Sequence, residues 1–331
     1  MKKIKIPSVN EIKEYFLSLP AIIHLITWSK ENSLPGFYKV PLYDVLVFLY
    51  NEFRRDDLFT RANSMAFSFF LSLFPSLISI FTLLPYIRKY LLSFLPDNGA
   101  NFDEILRTQI LEVVPGNVGN EIFSFIDDLT KNPRVGLLSF GFLLAIFFAS
   151  NGMLAMMKGF EKSYMKTFKK RSAFRKQLIA IFLTFQFGLL VIASVILIIV
   201  GNLIVNTIAD YVQLGILARW AIFLVRWFVI IFLFYAVISI IYKYGVALKQ
   251  KFNTFSPGAT LATTLSILSS ILFSFYVDNF GRYNELYGGF GTIIVTMLWI
   301  QINSLVLLIG FELNASIAVN RDLKAEIEED H

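Results

Sequence analysis

Two ionisable side chains, Arg226 and Glu312, stand inside long apolar stretches of this sequence. A charge among apolar residues at membrane depth costs about 2.5 kcal/mol or more, so such residues typically mark an ion or substrate pathway. An arginine in that setting can bind an anionic group, and a glutamate can pair with a cation or move a proton. Both residues are therefore candidates for function.

Other kinds of site chemistry are poorly represented. The chain has no Cys and two His, His24 and His331, which excludes disulfides, thiolate metal sites, a cysteine nucleophile and a Ser/His relay inside a membrane. Asp56 and Asp57 are adjacent, and adjacent acids on a helix point in different directions, as is typical of solvated surface. We predict no catalytic residue, no metal ligand and no cofactor, and we do not expect an enzyme.

Six apolar runs must position the candidate residues. Each is long enough to cross about 30 Å of hydrocarbon as a helix. They lack the alternation of barrel strands, which favours helices, and the 56% hydrophobic composition indicates lipid as the solvent. The predicted fold is all-α, a polytopic transmembrane bundle. Its six spans are Asn63 to Ile87, Val135 to Met157, Leu178 to Val205, Ala221 to Tyr242, Pro257 to Val277, and Phe290 to about Val319.

Lys and Arg predict the orientation, because positive loops stay in the cytoplasm. The connecting segments on one side of the predicted spans hold 22 of these residues and the other side holds seven. We therefore expect both termini in the cytoplasm and the protein in the inner (plasma) membrane. The net charge of +6 then reflects topology and attraction of anionic lipid headgroups to the basic loops, and no nucleic-acid partner is expected.

The predicted spans divide the chain into a cytoplasmic region (1–62), a transmembrane domain (63–319) and a cytoplasmic tail (320–331). An external segment (88–134) holds a short amphipathic helix, which either covers a membrane cavity or caps the bundle. In the N-terminal region, Tyr43 to Phe53 is predicted as an amphipathic helix. Its apolar face either lies on the membrane surface or packs on the ends of the bundle. That face is formed by Leu46, Val47, Tyr50 and Phe53.

Small residues and a proline are expected to shape individual spans. In the fifth span five small residues recur every four positions and share one helix face, which permits close helix packing, with a serine-lined solute path as the alternative. Pro75 removes a backbone donor inside the first span and predicts a kink. The small residues are Gly258, Ala262, Ser266, Ser270 and Ser274.

Glu312 is expected to find its partner in Arg61. The first span starts at the cytoplasmic face and the sixth ends there, so the two side chains should approach each other, whereas Arg226 lies nearer the other face. The alternative is that each reaches interfacial water by itself, and a separation above about 8 Å would exclude a water-bridged contact. Four amides at membrane depth either join helices or line a cavity. These are Asn63, Asn151, Gln186 and Asn303.

The motifs of the chain resemble one family. Arg61-Ala-Asn-Ser-Met-Ala-Phe-Ser-Phe-Phe-Leu-Ser-Leu-Phe-Pro75 is similar to the first-span signature of the YihY/virulence factor BrkB family. Ser256-Pro-Gly-Ala259, Asn279-Phe-Gly281 and Gly310-Phe-Glu-Leu-Asn314 follow the family's order and spacing. The resemblance covers about Asp57 to Ala318. The chain departs from the family at Tyr242-Lys-Tyr-Gly245, where arginine then proline is usual, and at Phe311, where alanine is common.

The resemblance implies a six-helix inner-membrane protein without a settled activity, an association with virulence, and an old label of ribonuclease BN. RNA cleavage is the least favoured function, because it needs an acid and a base or a metal cluster. The leading hypothesis is a transporter or lipid-handling protein of the cell envelope, in which Arg226 meets an anionic group and Arg61 with Glu312 forms a cytoplasmic gate. The alternative is a scaffold that recruits envelope proteins or further copies of itself, through the external segment and the loop Lys158 to Lys176.

Overall fold

The structure is a computed structural model, and most of the residues that it describes are helical. It describes residues 20–55, 58–73, 135–190, 216–252, 255–280 and 289–329, with isolated positions elsewhere. They contain no strand, and extended pairing within them is limited to one antiparallel bridge between Phe168 and Leu248. The all-α prediction is confirmed. In chain order the helices are α1 (Pro20–Glu31), α2 (Leu42–Arg55), α3 (58–73), α4 (Val135–Gly159), α5 (Ala173–Leu190), α6 (Ile216–Ile240), α7 (Pro257–Phe280) and α8 (Gly289–Glu329).

Five of these helices, α4 to α8, are long and apolar enough to cross a membrane. They correspond to the second to sixth predicted spans, and the apolar window of α7, Pro257–Val277, has the predicted bounds. Of the first predicted span the structure describes residues 63–73 and Pro75, so the predicted kink lies outside the described residues. The external segment 88–134 also lies outside them, apart from four single positions.

Helix α8 extends well past the predicted sixth span. It has 41 residues, about 60 Å at 1.5 Å per residue, which is about twice the hydrocarbon thickness of a bilayer. The predicted boundary at Val319 marks the point where charged residues begin, and the residues beyond it, predicted as a tail, continue the same helix to Glu329. One continuous helix therefore carries Glu312 and also leaves the apolar part of the bundle.

Tight aromatic packing lies where α8, the loop after α4 and the helical turn Ile241–Gly245 after α6 meet. Phe160 stacks on Phe311 with ring centroids 4.8 Å apart, and Phe168 meets Phe311 edge-on at 6.5 Å. Tyr242 contacts Phe160 and donates a hydrogen bond to the carbonyl of Leu307 at 2.6 Å. We call this end of the bundle, formed by α2, the loop 160–172 and the segment 246–252, the basic end. Phe311, a departure from the family pattern, is thus a central packing residue.

The predicted N-terminal amphipathic helix is α2, but its predicted apolar face does not pack on the bundle. Leu46, Val47, Tyr50 and Phe53 are exposed by 37–59%, whereas Val45 is fully buried. The interpretation that this face packs on the bundle is therefore wrong. The reason is that α2 has a second apolar face, which includes Val45 and packs on the bundle.

The small residues of α7 meet α8 at one crossing. Gly258, Ala262 and Ser266 are buried, Ser270 is partly buried and Ser274 is exposed. A side chain added at Gly258 would overlap the backbone carbonyl of Gly310. The two motifs that carry Gly258 and Gly310 therefore form the point where the two helix backbones approach most closely.

Asn314 closes the start of α7 at the same crossing. Its Oδ1 accepts a hydrogen bond from the Gly258 N–H at 2.8 Å, and its Nδ2 donates to Ser256 Oγ at 3.1 Å. Ser256 is itself the N-cap of α7, because its Oγ accepts from the Ala259 N–H at 3.2 Å. Proline follows the cap at the first helical position, where its missing N–H costs nothing.

We expect Asn314→Ala to lower the free energy of unfolding by about 1–3 kcal/mol, because it leaves the buried Gly258 N–H without a partner. Thermal unfolding of the purified protein in detergent measures this. The control is Asn320→Ala on the same helix, since the side-chain hydrogen bond that Asn320 makes within the described part of the chain goes to the carbonyl of Ser316 in its own helix. An equal loss in both variants would contradict the capping role.

Candidate functional site

Arg61 and Glu312 form an ion pair at the basic end. Arg61 Nη1 lies 2.9 Å from Glu312 Oε1, joining α3 to α8. Arg61 also donates from Nε, at 2.9 Å, and from Nη2 to the carbonyl of Gly159, the last residue of α4. The predicted approach is confirmed, and Arg61 additionally binds the carboxyl end of a third helix, where a cation is favourable.

The ion pair belongs to a longer chain of alternating charges. Lys162, in the loop after α4, places its Nζ 3.0 Å from the second carboxylate oxygen of Glu312 and 2.6 Å from Glu52 Oε2. Tyr164 donates a hydrogen bond to Glu52 Oε1 at 2.7 Å. The order Arg61, Glu312, Lys162, Glu52 therefore links α3, α8, the loop and α2, and we call it the charge network.

The charge network is almost completely removed from solvent. The side chains of Glu312, Lys162, Glu52 and Arg61 are 0%, 5%, 8% and 20% exposed. Two acids and two bases balance, so the network holds no net charge. A buried ion pair contributes little stability relative to apolar packing, but removing one partner costs about 3–5 kcal/mol because the other is left uncompensated. Such a network specifies how the four elements fit together.

The sequence prediction missed Glu52 and Lys162. Glu52 follows the buried Val45 by two helical turns, so an acid on a second apolar face of α2 was the available signal. For Lys162 no signal was available, because nothing in the sequence separates it from the other basic residues of its loop.

A polar cavity opens beside Arg61, between α3 and α4. Its volume is about 380 Å³ and its wall includes serines of α3 and an asparagine and a lysine of α4. Arg61 thus contacts the cavity and Glu312 together. We call this cavity the polar groove, lined by Arg61, Ser64, Ser68, Asn151 and Lys158 together with Leu154, Ala155 and Gly159.

The remaining predicted residues lie elsewhere. Asn63 Oδ1 accepts a hydrogen bond from Gln301 Nε2 at 2.7 Å, which joins α3 to α8. Asn303 donates to the carbonyl of Trp299 in its own helix. Arg226 belongs to the first half of α6, and its side chain lies outside the described part of the structure. Arg61, Glu312 and Asn151 are therefore the predicted residues that the structure brings to one place.

The chemistry available here is charge pairing and polar binding. In the described part of the chain, no three His, Asp or Glu side chains are grouped so that they could hold a metal ion. What the arrangement offers is a guanidinium that can exchange a carboxylate partner for an anion in the polar groove.

Five apolar helices of membrane length, α4 to α8, define a multi-pass membrane protein. More specifically, the chain belongs to the family described as Virulence factor BrkB, which matches residues 49–331. The predicted resemblance is thereby confirmed.

Individual relatives agree with this assignment. The chain is 31% identical over 269 residues to YfkH of Bacillus subtilis, which is named as ribonuclease-like, and the match covers 81% of this chain and 92% of YfkH. It is 32% identical over 87 residues to a UPF0761 membrane protein of Mannheimia succiniciproducens, a match that covers 26% of this chain and 30% of that relative. A UPF0761 membrane protein of Idiomarina loihiensis is 39% identical over 67 residues, 20% of this chain and 24% of its own length. No solved structure matches the chain.

Proposed function

We propose that this protein is a transporter or lipid-handling protein of the cell envelope, in which the polar groove receives the polar group of the substrate. The observation that supports this most directly is the double contact of Arg61. One guanidinium lines the groove and is also the partner of the buried Glu312. A polar cavity that ends on an exchangeable ion pair is an arrangement suited to gating.

The proposed orientation has six spans, with the basic end in the cytoplasm. Together, Lys and Arg number 22 on one side of the predicted spans and seven on the other, which favours this direction. Anionic lipid headgroups are then the natural partners of the basic end. In this topology Arg226 stands nearer the outer face and is proposed to meet an anionic group from the outer leaflet.

The charge network keeps Glu312 in contact with a cation when the ion pair opens. An anion entering the polar groove competes with Glu312 for the Arg61 guanidinium. When Arg61 turns to the anion, Glu312 keeps its contact with Lys162, which it then shares with Glu52, so the affinity of Arg61 for the anion must offset the cost of two acids sharing one base. The substrate thereby shifts the equilibrium between Arg61 bound to Glu312 and Arg61 separated from it, because the substrate binds the separated form.

The proposal is tested by lipid translocation in proteoliposomes, with fluorescently labelled phosphatidylglycerol as the probe. Ser68→Phe places a large side chain in the groove, and we expect it to reduce the translocation rate by about tenfold or more, equivalent to about 1.4 kcal/mol of barrier. Leu71→Phe is the matched control, because Leu71 lies on the same helix and is exposed away from the groove.

Equal rates in the two variants would show that the groove is not the path. A translocation rate in proteoliposomes with the wild-type protein that is no higher than the rate in protein-free liposomes would contradict the proposal for this lipid.

A scaffolding role is the second candidate, and the exposed apolar faces of α1 and α2 favour it. These faces form a shallow apolar cavity of about 430 Å³ that includes Trp28, Leu46 and Tyr50. An exposed apolar surface of this kind is typical of a site for a protein partner or a membrane surface. Under this role, cross-linking from α2 would capture an envelope protein or a second copy of the chain. Ser68→Phe would then leave the translocation rate unchanged.

A further inference from the structure

A second cavity lies at the basic end, on the other side of the loop after α4. The loop 160–172 pairs with the segment after α6 through two backbone hydrogen bonds, Lys169 N–H to the Ala247 carbonyl at 2.7 Å and Lys249 N–H to the Thr167 carbonyl at 2.9 Å. Together they enclose about 450 Å³. Phe160, Phe168 and Met157 form an apolar base, and basic side chains surround it. We call this cavity the basic pocket.

The charges of the basic pocket do not balance. Five cations line it, with Glu161 as the single acid of the lining. Glu161 forms an ion pair with Lys176 at 2.5 Å, and Lys162 is paired with the acids of the charge network. The three remaining cations, Lys169, Lys170 and Arg171, have no carboxylate within ion-pair distance among the described residues.

Arg171 is fixed in place while keeping its charge available. Its Nη1 and Nη2 donate to the carbonyls of Gly245 and Val246 at 2.9 Å each, at the end of the helical turn Ile241–Gly245 that follows α6. Carbonyls carry no formal charge, and a guanidinium has five donors, so N–H groups remain for a ligand. Burial lowers the pKa of Arg171, and the neighbouring Arg175 lowers it further, while Glu161 raises it. These causes describe a partly desolvated cation beside another cation, which an anion would stabilise.

The start of α5 adds to the positive potential. Ser172 precedes the helix and its Oγ accepts the Arg175 N–H at 3.4 Å, as an N-cap does. The helix therefore begins two residues after Arg171, and a helix of this length carries a partial positive charge at its first turn.

We infer that the basic pocket binds a phosphate-bearing anion through Lys169, Lys170 and Arg171, with the apolar part of that ligand on Phe160, Phe168 and Met157. A phosphate offers several strong acceptor oxygens and up to two charges, which suits one guanidinium and two ammonium groups. The phosphate belongs to a lipid headgroup or to a soluble phosphorylated molecule, since both share this chemistry. The inference rests on the proposed function, because it names a site for the anionic class that the protein is proposed to handle.

Binding to the full chain in phosphatidylcholine nanodiscs tests the inference. The two probes are phosphatidylglycerol, incorporated at a few mole per cent, and glycerol 3-phosphate in solution, and retention is measured by native mass spectrometry. Lys169→Gln with Lys170→Gln removes two charges from the pocket. Lys166→Gln with Lys249→Gln removes two charges from the same end without touching the pocket lining.

We expect the pocket double variant to weaken binding of one probe by about tenfold or more, and the control double variant to change it by less than about threefold. Weaker binding of phosphatidylglycerol in the pocket double variant identifies a lipid headgroup as the ligand, and weaker binding of glycerol 3-phosphate identifies a soluble ligand. Equal binding of both probes by the two double variants would overturn the inference.

A further measurement uses the unmodified chain, so its result does not depend on whether the double variants fold. Amine-specific labelling of Lys169 and Lys170 should fall when the bound probe is present, while labelling of the exposed Lys166 stays constant. Unchanged labelling at all three lysines would also overturn the inference.

The groove variant Ser68→Phe separates the two proposals. If Ser68→Phe does not lower the translocation rate while the basic pocket still binds a probe, only the proposed function is contradicted. If the pocket variants bind both probes equally well and translocation still depends on Ser68, only the proposed anion site is contradicted.

Discussion

Replacing Glu312 by alanine is expected to lower the free energy of unfolding by about 3–5 kcal/mol. Glu312 is the fully buried anion between two cations, Arg61 at 2.9 Å and Lys162 at 3.0 Å. Its removal leaves the network with one acid and two bases, at least one of which must then find water or leave its place. The loss should appear as a lower unfolding temperature in detergent and as a smaller monodisperse fraction after purification.

Glu326→Ala is the matched control for this change. Glu326 lies on the same helix and pairs with Lys166 of the same loop, but both side chains are exposed. Exposed pairs contribute about 0–1 kcal/mol, so the control should unfold almost as the wild type does. If the two alanine variants lose the same stability, the charge network does not hold the basic end together.

The second large effect is expected from Gly258→Val. A Cβ at this position overlaps the Gly310 carbonyl and the Asn314 side chain, so α7 and α8 must move apart along a buried crossing. We expect a loss of about 3 kcal/mol or more, because the obstacle is backbone rather than a flexible side chain. The measurement is thermal unfolding in detergent, together with the yield of folded protein.

Gly188→Ala on α5 provides the comparison, since no described atom lies within 4 Å of a Cβ there. Alanine is the better helix former by about 1 kcal/mol, so this variant should be as stable as the wild type or slightly more stable. Wild-type stability in Gly258→Val would show that the helices do not approach at Gly258.

The motif Gly310-Phe-Glu-Leu-Asn314 now has a physical explanation. Gly310 admits the backbone of α7, Phe311 stacks on Phe160, Glu312 joins the charge network, and Asn314 caps α7. Four roles fit into five residues because successive side chains of a helix point about 100° apart and so reach different neighbours.

The sequence predicted the helices well because lipid requires long apolar runs. It predicted the bounds of the fifth span because Pro257 suits the first position of a helix. It also predicted the Arg61–Glu312 contact, since topology brings both to one end. It did not predict Lys162 as a partner, because a contact between a loop and a distant helix leaves no periodic signal. It did not predict Glu52 either, because α2 has two apolar faces and the pattern alone does not show that the face with Val45 and Glu52 is the buried one.

The most direct test of substrate binding in the polar groove is an electron cryomicroscopy map of the full chain in nanodiscs formed with its native lipids. We expect density that is not protein in the polar groove, within about 3 Å of the Arg61 guanidinium and close to Asn151. A groove filled by the chain's own side chains, with Arg61 bound to Glu312 and Gly159 and to nothing else, would contradict it and favour the scaffold.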